Sequence, residues 1–229
     1  MGDAERRFTR GLVQVRAADG NTGRQIGGYA AKFNKLSQNL GGFVERIDAG
    51  FFAKSEGDGW PDVLARYNHD DNRLLGTSEA GTLRLAVDGT GLDYTVDVPA
   101  SREDVMELVQ RGDVRRSSFA FRTFSDDWSQ TEDGFPLRTL LSGALVDVAP
   151  VNSPAYMDTS TGLRSLADKA GAELEEVRAA ADAGDLSRFL GRPPAVVIDM
   201  APSGQGETHP LTVLRQLRAE LNQRSELTF

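Results

Sequence analysis

Residues 117–124, Ser-Ser-Phe-Ala-Phe-Arg-Thr-Phe, and residues 137–148, Leu-Arg-Thr-Leu-Leu-Ser-Gly-Ala-Leu-Val-Asp-Val, carry the clearest strand patterns in the chain. In the first run aromatic residues alternate with small or polar ones, and the second run is largely apolar. Shorter runs of the same kind precede them, at residues 11–16, 25–33, 42–47, 62–67, 82–87 and 92–98. Turn-forming residues separate the runs, including Asp-Gly-Thr-Gly at 88–91. About the first 160 residues are therefore predicted to form a mostly β domain, either a barrel or a sandwich.

One helix is predicted inside this β domain, over residues 102–110. Val105, Leu108 and Val109 form an i, i+3, i+4 apolar stripe, which is typical of a helix with one buried face. Ser101 is expected to cap the N-terminus of the helix, and Gly112 is expected to end it.

The composition changes after Tyr156, and a helical C-terminal tail is predicted beyond the β domain of residues 1–160. Apolar residues at helical spacing predict an amphipathic helical extension over residues 161–190. Residues 191–209 are rich in proline and glycine and are interpreted as a linker. Leucines at helical spacing predict a short C-terminal helix over residues 210–229.

The composition excludes several classes of chemistry. The 229 residues include no cysteine and two histidines, and the formal net charge is −8. Disulfides, thiolate nucleophiles and cysteine-based zinc sites are therefore excluded, and one histidine in the β domain cannot supply a usual zinc ligand set. We expect neither a metal nor a cofactor. An acidic chain is not expected to bind nucleic acid. With no long apolar segment and no signal peptide, the sequence predicts a cytoplasmic protein without membrane contact.

His69, Ser118 and Asp147 form the one candidate set for catalysis. His69 follows an apolar strand, Ser118 shares a strand face with Ala120, and Asp147 lies inside an apolar strand where an unpaired carboxylate is costly,. A serine hydroxyl needs a neighbouring base to become a nucleophile, and an acid then orients the imidazole. His209 lies beyond the predicted linker. Taken singly, the three residues also fit ordinary roles: a solvated turn histidine, a strand serine and an aspartate facing water.

Four segments in order resemble the prohead, or capsid maturation, serine proteases of tailed bacteriophages. They are Gly-Tyr-Ala-Ala-Lys-Phe at 28–33, the strand at 63–70 ending in Asn-His-Asp, Gly-Asp-Val-Arg-Arg-Ser-Ser-Phe-Ala-Phe at 112–121, and the segment 145–156 ending in Pro-Ala-Tyr. The resemblance covers about residues 10 to 160. The sequence departs from the family where Ala120 replaces the usual glycine and Asp147 replaces the more common glutamate. Arg116 and Ser117 stand where the family often has glycine and methionine.

The resemblance implies a fold similar to the herpesvirus assembly proteases, a closed or partly open β-barrel surrounded by a few helices. It implies that Ser118 is the nucleophile, His69 the general base and Asp147 the orienting acid. The implied function is a serine endopeptidase that cleaves scaffold or capsid protein segments during prohead maturation, followed by self-cleavage. Its partners would be the capsid and scaffold proteins, inside the assembling prohead in the host cytoplasm. Homo-oligomerisation is left open.

The oxyanion donors are not identified by any motif. A backbone N–H in the turn at 152–155 is the expected donor, and Arg115 or Arg116 is expected to hold a water there. Ser117 and Asn152 are further candidates for substrate binding.

Two other functions fit the same strand pattern. The first is an inactive capsid-assembly or scaffold component with the protease fold, and the second is a barrel that binds a small molecule or a sugar. The helical tail is expected either to pack on the barrel or to dock on scaffold or capsid helices.

Overall fold

The computed structural model describes residues 4–16, 24–152 and 160–191, which belong to one unit of the chain. The described strands are β1 (Glu5–Leu12), β2 (Gln14–Arg16), β3 (Gln25–Lys32), β4 (Val44–Ile47), β5 (Leu64–Arg66), β6 (Leu74–Thr77), β7 (Leu83–Val87), β8 (Gly91–Asp97), β9 (Arg116–Gln130) and β10 (Pro136–Val151). The described helices are α1 (Ala53–Gly57), α2 (Glu103–Arg111), α3 (Ser160–Ala170) and α4 (Leu174–Asp182), and short 3-10 turns cover Tyr67–His69, Ala100–Arg102 and Leu186–Phe189.

The long hairpin of β9 and β10 is the centre of the first sheet. This six-stranded sheet has the order β1-β9-β10-β5-β6, and β4 pairs with the first half of β10. Both β4 and β5 run parallel to β10, whereas β9 runs antiparallel to it. The second sheet has four antiparallel strands in the order β2-β3-β8-β7. This topology puts β9 and β10, the two strands with the clearest sequence pattern, at the centre of the larger sheet.

The main hydrophobic core takes side chains from both sheets and from α2. Four phenylalanines form its aromatic part, and neighbouring ring centroids in this group lie 4.9–5.9 Å apart; they are Phe51, Phe52, Phe119 and Phe121. All four are fully buried. Phe119 and Phe121 alternate along β9, so Ala120 between them and Ser118 before them face the other side of the sheet.

A second, smaller hydrophobic cluster lies under α3 and α4. Phe43 and Trp128 pack there with ring centroids 5.0 Å apart, against apolar residues of both helices. Beside this cluster lies a buried ionic group centred on Arg138. Its guanidinium contacts Glu5 at 2.6 Å, Glu45 at 3.0 Å and Asp126 at 2.6 Å. Burial of these charges is tolerated because each has an oppositely charged partner.

The mostly β architecture with helices is confirmed, and β3, β7, β8, β9 and β10 lie within two residues of their predicted starts. The barrel stays a prediction, since the described strands form two sheets. The predicted domain boundaries also stay predictions. The end of α2 at Gly112 is confirmed by its left-handed φ of 79°. The cap at Ser101 is wrong, because a 3-10 turn carries the chain through Ser101 and the cap position falls on Arg102.

The predicted linker and C-terminal helix lie outside the described residues, except Gly191. In the part of the chain that the structure describes, no helix is both long and apolar enough to cross a membrane.

Candidate active site

The turn after β5 determines where the imidazole of His69 lies. Asn68 and His69 both have left-handed backbones, with φ of 55° and 57°. This conformation is uncommon for residues other than glycine, although asparagine and histidine adopt it more often than most, and residues held in it cluster at functional sites. The turn is held by the Asn68 Oδ1, which accepts a hydrogen bond from the backbone N–H of Asn152 at 3.1 Å. The arrangement directs the imidazole towards β10 and β9.

A β-bulge in β10 directs the carboxylate of Asp147. Leu145 pairs with Phe121 but Asp147 pairs with Ala120, so Val146 is an extra residue in the ladder. With strict alternation Asp147 would lie on the same face as Leu145, which is part of the core. The extra residue moves Asp147 to the face that carries Ala120 and Ser118.

The three predicted residues come together at hydrogen-bond distance. His69 Nε2 lies 2.7 Å from Ser118 Oγ, and His69 Nδ1 lies 2.7 Å from Asp147 Oδ1. Ser118 and Asp147 have no exposed surface, and His69 is 7% exposed. A hydroxyl, an imidazole and a carboxylate in this order can transfer the hydroxyl proton to the ring while the carboxylate stabilises the resulting cation.

The hydroxyl of Ser118 has two acceptors within reach but only one proton. It lies 2.8 Å from the carbonyl oxygen of Arg7 on β1, as well as 2.7 Å from the imidazole. When both ring nitrogens of His69 carry protons, Nε2–H donates to the hydroxyl oxygen, and the hydroxyl donates to Arg7. When His69 is neutral with its proton on Nδ1, Nε2 accepts from the hydroxyl instead. The reactive arrangement is therefore the neutral one.

The second oxygen of Asp147 is also paired. The guanidinium of Arg66, at the end of β5, donates to Asp147 Oδ2 and also contacts Asp71. Burial has the largest effect on the pKa of Asp147 and raises it. The hydrogen bond and charge of His69, together with those of Arg66, outweigh burial, so the pKa lies below its ordinary value. The carboxylate is therefore ionised at neutral pH despite having no exposed surface.

The remaining predicted residues lie around this group in different ways. Ser117 is buried on the opposite face of β9, where its Oγ lies 3.4 Å from the Tyr94 hydroxyl. Arg115 bonds the carbonyl of Gly112, and Arg116 is exposed. Of the expected oxyanion turn, only Asn152 is described, and it contacts the His69 turn through Asn68. The substrate-binding and oxyanion roles of these residues stay predictions.

Arg66 and Asn68 were not identified from the sequence. Both flank His69 within three positions, but a charged or polar residue next to a turn usually faces solvent. A usable signal was present for Arg66, because an arginine at the end of an apolar strand needs an acidic partner if it is buried.

The sequence and the fold of this chain are both similar to those of known proteins. The family model of the caudovirus prohead serine proteases matches residues 12–171. Among solved structures, the capsid assembly protease gp21 of bacteriophage T4 is similar at 10% sequence identity with a TM-score of 0.45, covering 67% of this chain and 100% of that one. Among curated proteins, no sequence matches the chain.

Proposed function

Because the chain belongs to the caudovirus prohead serine protease family, we propose that it is a serine endopeptidase that cleaves scaffold or capsid protein segments during prohead maturation. Self-cleavage is part of the proposal. The observation that carries it is the continuous hydrogen-bonded relay from Ser118 through His69 to Asp147, with 2.7 Å at each step. The site of action is the interior of the assembling prohead in the host cytoplasm.

In the proposed reaction Ser118 Oγ attacks the scissile carbonyl carbon while His69 Nε2 accepts the hydroxyl proton. His69 then transfers that proton to the nitrogen of the leaving amine, and the acyl-enzyme forms. Water attacks the acyl carbon in the second half, again with His69 as base, and the serine is regenerated. General base catalysis of this kind contributes about 10²–10⁴-fold to the rate.

Arg66 has a positioning role in the proposed reaction. Asp147 has a shorter side chain than the glutamate common in the family, so its orientation matters more. By donating to Oδ2, Arg66 leaves Oδ1 directed at the imidazole and keeps the carboxylate ionised. A correctly oriented carboxylate fixes the proton on Nδ1, which is the tautomer that leaves Nε2 free to act as base.

The oxyanion is proposed to be stabilised by the chain that follows β10. The hydrogen bond from the Asn152 N–H to Asn68, which precedes His69, supports this proposal. A single oriented backbone donor contributes about 3–4 kcal/mol to transition-state stabilisation. Arg115 and Arg116 remain candidates for holding a water in this position.

One observation favours an alternative, an inactive capsid-assembly component with the same fold. Ser118 has no exposed surface, and its hydroxyl lies within reach of the Arg7 carbonyl as well as of the imidazole. A substrate carbonyl reaches the hydroxyl only after local opening of the structure.

The test is co-expression with the cognate capsid and scaffold proteins, read by intact mass. Wild type is expected to give cleaved products, and Ser118→Ala none. Ser117→Ala decides between the two adjacent serines and is expected to keep cleavage, because its hydroxyl lies on the opposite face of β9. If the capsid and scaffold proteins have the same masses after co-expression with wild type as with Ser118→Ala, the inactive component is supported instead.

A further inference from the structure

β10 changes its partner on the side away from β9. β4 pairs with residues 137–140 of β10, and β5 pairs with residues 147–148. Among the described strands, none pairs with residues 141–146 on that side. Buried backbone N–H groups in this gap still need acceptors, so other parts of the chain must supply them.

The segment at α1 supplies two of these acceptors. The carbonyl oxygen of Phe51 accepts from the Gly143 N–H at 3.1 Å, and the hydroxyl oxygen of Ser55 accepts from the Leu145 N–H at 3.0 Å. Ser55 is buried on the inner side of α1, with 5% of its surface exposed. Because a serine hydroxyl can accept as well as donate, Ser55 takes the place of a strand carbonyl here.

Packing also holds α1 against this part of β10. Phe51 and Phe52, which precede α1, are fully buried in the main core. The ring of Phe51 lies so close to Gly143 that a Cβ added to Gly143 would clash with it. The position of Ser55 relative to β10 is therefore defined by close packing as well as by its hydrogen bond.

The hydrogen bond of Ser55 lies next to the bulge that directs Asp147. Leu145 is the last residue before the extra residue Val146, and Asp147 directly follows it and pairs with β5. The bulge is thus enclosed between a hydrogen bond to α1 and a pair with β5. If the extra residue fell after Asp147 rather than before it, the carboxylate would face the core.

We propose that Ser55 is a positioning residue for the proposed reaction, because it fixes the bulge that directs Asp147 at His69. The proposal rests on the proposed function, since it concerns the same catalytic group. Ser55 acts through the backbone of β10 and not on the reacting atoms. Without its hydroxyl, the buried Leu145 N–H loses its acceptor, and the bulge is no longer held on that side.

The test follows the imidazole of His69 by ¹⁵N NMR. The full chain carries Ser118→Ala, so that it does not cleave itself, and His209→Gln, so that His69 remains of the two histidines. With Ser55 present, Asp147 holds the proton on Nδ1, and the neutral ring is expected to give a single tautomer. Ser55→Ala is expected to give a mixture of both tautomers at a pH where the ring is neutral.

Matched variants separate this effect from a general loss of stability. Thr82→Val also removes a hydroxyl that accepts from a strand N–H, that of Thr77 on β6 at 3.0 Å, and is expected to keep the single tautomer. Ser55→Cys keeps the size of the side chain with a weaker acceptor, so it is expected to give a smaller fraction of the second tautomer. It replaces Ser55→Ala if that variant does not fold. A folded Ser55 variant with the single tautomer overturns the proposal.

Kinetics on the chain with Ser118 and His209 intact give the second readout. Ser55→Ala is expected to lower kcat for a scaffold-derived peptide about tenfold, with KM little changed, because the groups that contact substrate are retained. If wild type cleaves but Ser55→Ala changes neither kcat nor the tautomer, the positioning role is wrong and the peptidase stands. If wild type cleaves nothing while Ser55→Ala alters the tautomer, the positioning of Asp147 stands and the peptidase assignment fails.

Discussion

Asp147 is a fully buried carboxylate with a different partner on each oxygen, His69 on Oδ1 and Arg66 on Oδ2. An amide at this position keeps the shape but donates through its nitrogen, so it no longer fixes the proton on Nδ1. Asp147→Asn is therefore expected to lower kcat by about 10³–10⁴-fold, as loss of the orienting carboxylate does in serine proteases generally.

The measurement is release of a scaffold-derived peptide. Asp70→Asn is the matched control, because Asp70 adjoins His69 in sequence but its carboxylate accepts from the backbone N–H of Asn72 at 2.9 Å. A similar loss in both variants would contradict the specific role of Asp147.

The second prediction concerns the contribution of the Arg66 guanidinium to kcat. Arg66→Leu removes the donor to Oδ2 and a positive charge that lowers the pKa of Asp147. We expect kcat to decrease about tenfold, which is the typical size of effect when a group that orients an active-site side chain is lost, with KM little changed. Arg66→Lys is expected to recover part of the activity, since an ammonium retains the charge but not the forked geometry.

The readout that separates positioning from general destabilisation is the pH profile of kcat. In Arg66→Leu its acidic limb is expected to move to higher pH, because loss of the Arg66 charge and hydrogen bond raises the pKa of Asp147, so the carboxylate is protonated at a higher pH. Arg164→Leu, an exposed arginine on α3, is expected to leave both kcat and the profile unchanged. An unshifted acidic limb in Arg66→Leu contradicts the positioning role.

Among the secondary-structure elements, one carboxylate of β9 contacts two residues of α3. Asp126 accepts hydrogen bonds from Arg138 at 2.6 Å and from Ser165 of α3 at 2.7 Å, and pairs with Lys169 at 3.2 Å. Burial has the largest effect on its pKa and raises it, but Arg138, Ser165 and Lys169 together outweigh burial and lower the pKa.

This pKa gives the stability of the protein a defined pH dependence. Because the folded pKa lies below the unfolded value of about 3.9, ionised Asp126 stabilises the fold above that value, and the contribution is lost as pH falls through the folded pKa. At neutral pH, Asp126→Asn is expected to cost about 1–3 kcal/mol, since Arg138 loses one charged hydrogen-bond partner but keeps Glu5 and Glu45,.

Urea unfolding of wild type and variant, measured from neutral pH downwards, checks this prediction. The difference in unfolding free energy is expected to shrink below about pH 4. Asp127→Asn, the neighbouring exposed aspartate, is expected to show no difference at any pH. A pH-independent difference for Asp126→Asn contradicts the linkage.

The elements also show which features the sequence predicts and which it does not. Ser118, His69 and Asp147 were chosen as candidates because each is a chemically reactive type placed in or beside a strand, and the structure brings their side chains to hydrogen-bond distance, while their catalytic roles stay a proposal. The bulge at Val146 was not, since a register shift depends on pairing with β9 rather than on local sequence,. Most of β1 was missed because Glu5 and Arg7 suggest a solvated segment, whereas both are buried in the ionic group around Arg138.

Across the whole described unit, two hydrophobic clusters are separated by that ionic group, and they depend on different parts of the chain. The family model ends at residue 171, so it includes α3 but not α4. Yet the second cluster needs the following segment, because Val177, Leu186 and Phe189 are almost completely buried in it against Leu40 and Phe43. Each such side chain contributes about 1.5–3 kcal/mol of burial free energy.

Truncation after Gly171 is therefore expected to destabilise the protein, although the three proposed catalytic residues and the matched family region are retained. It exposes Leu40 and Phe43 and removes α4 and the turn at Leu186–Phe189, which contact α3. We therefore expect a lower midpoint of unfolding in urea and binding of a hydrophobic dye. Truncation after Gly191 keeps the second cluster whole and is expected to unfold at the wild-type midpoint. If the two truncated proteins unfold at the same midpoint, α4 and the turn at Leu186–Phe189 are dispensable for the fold, and the second cluster is not the structural unit that its burial indicates.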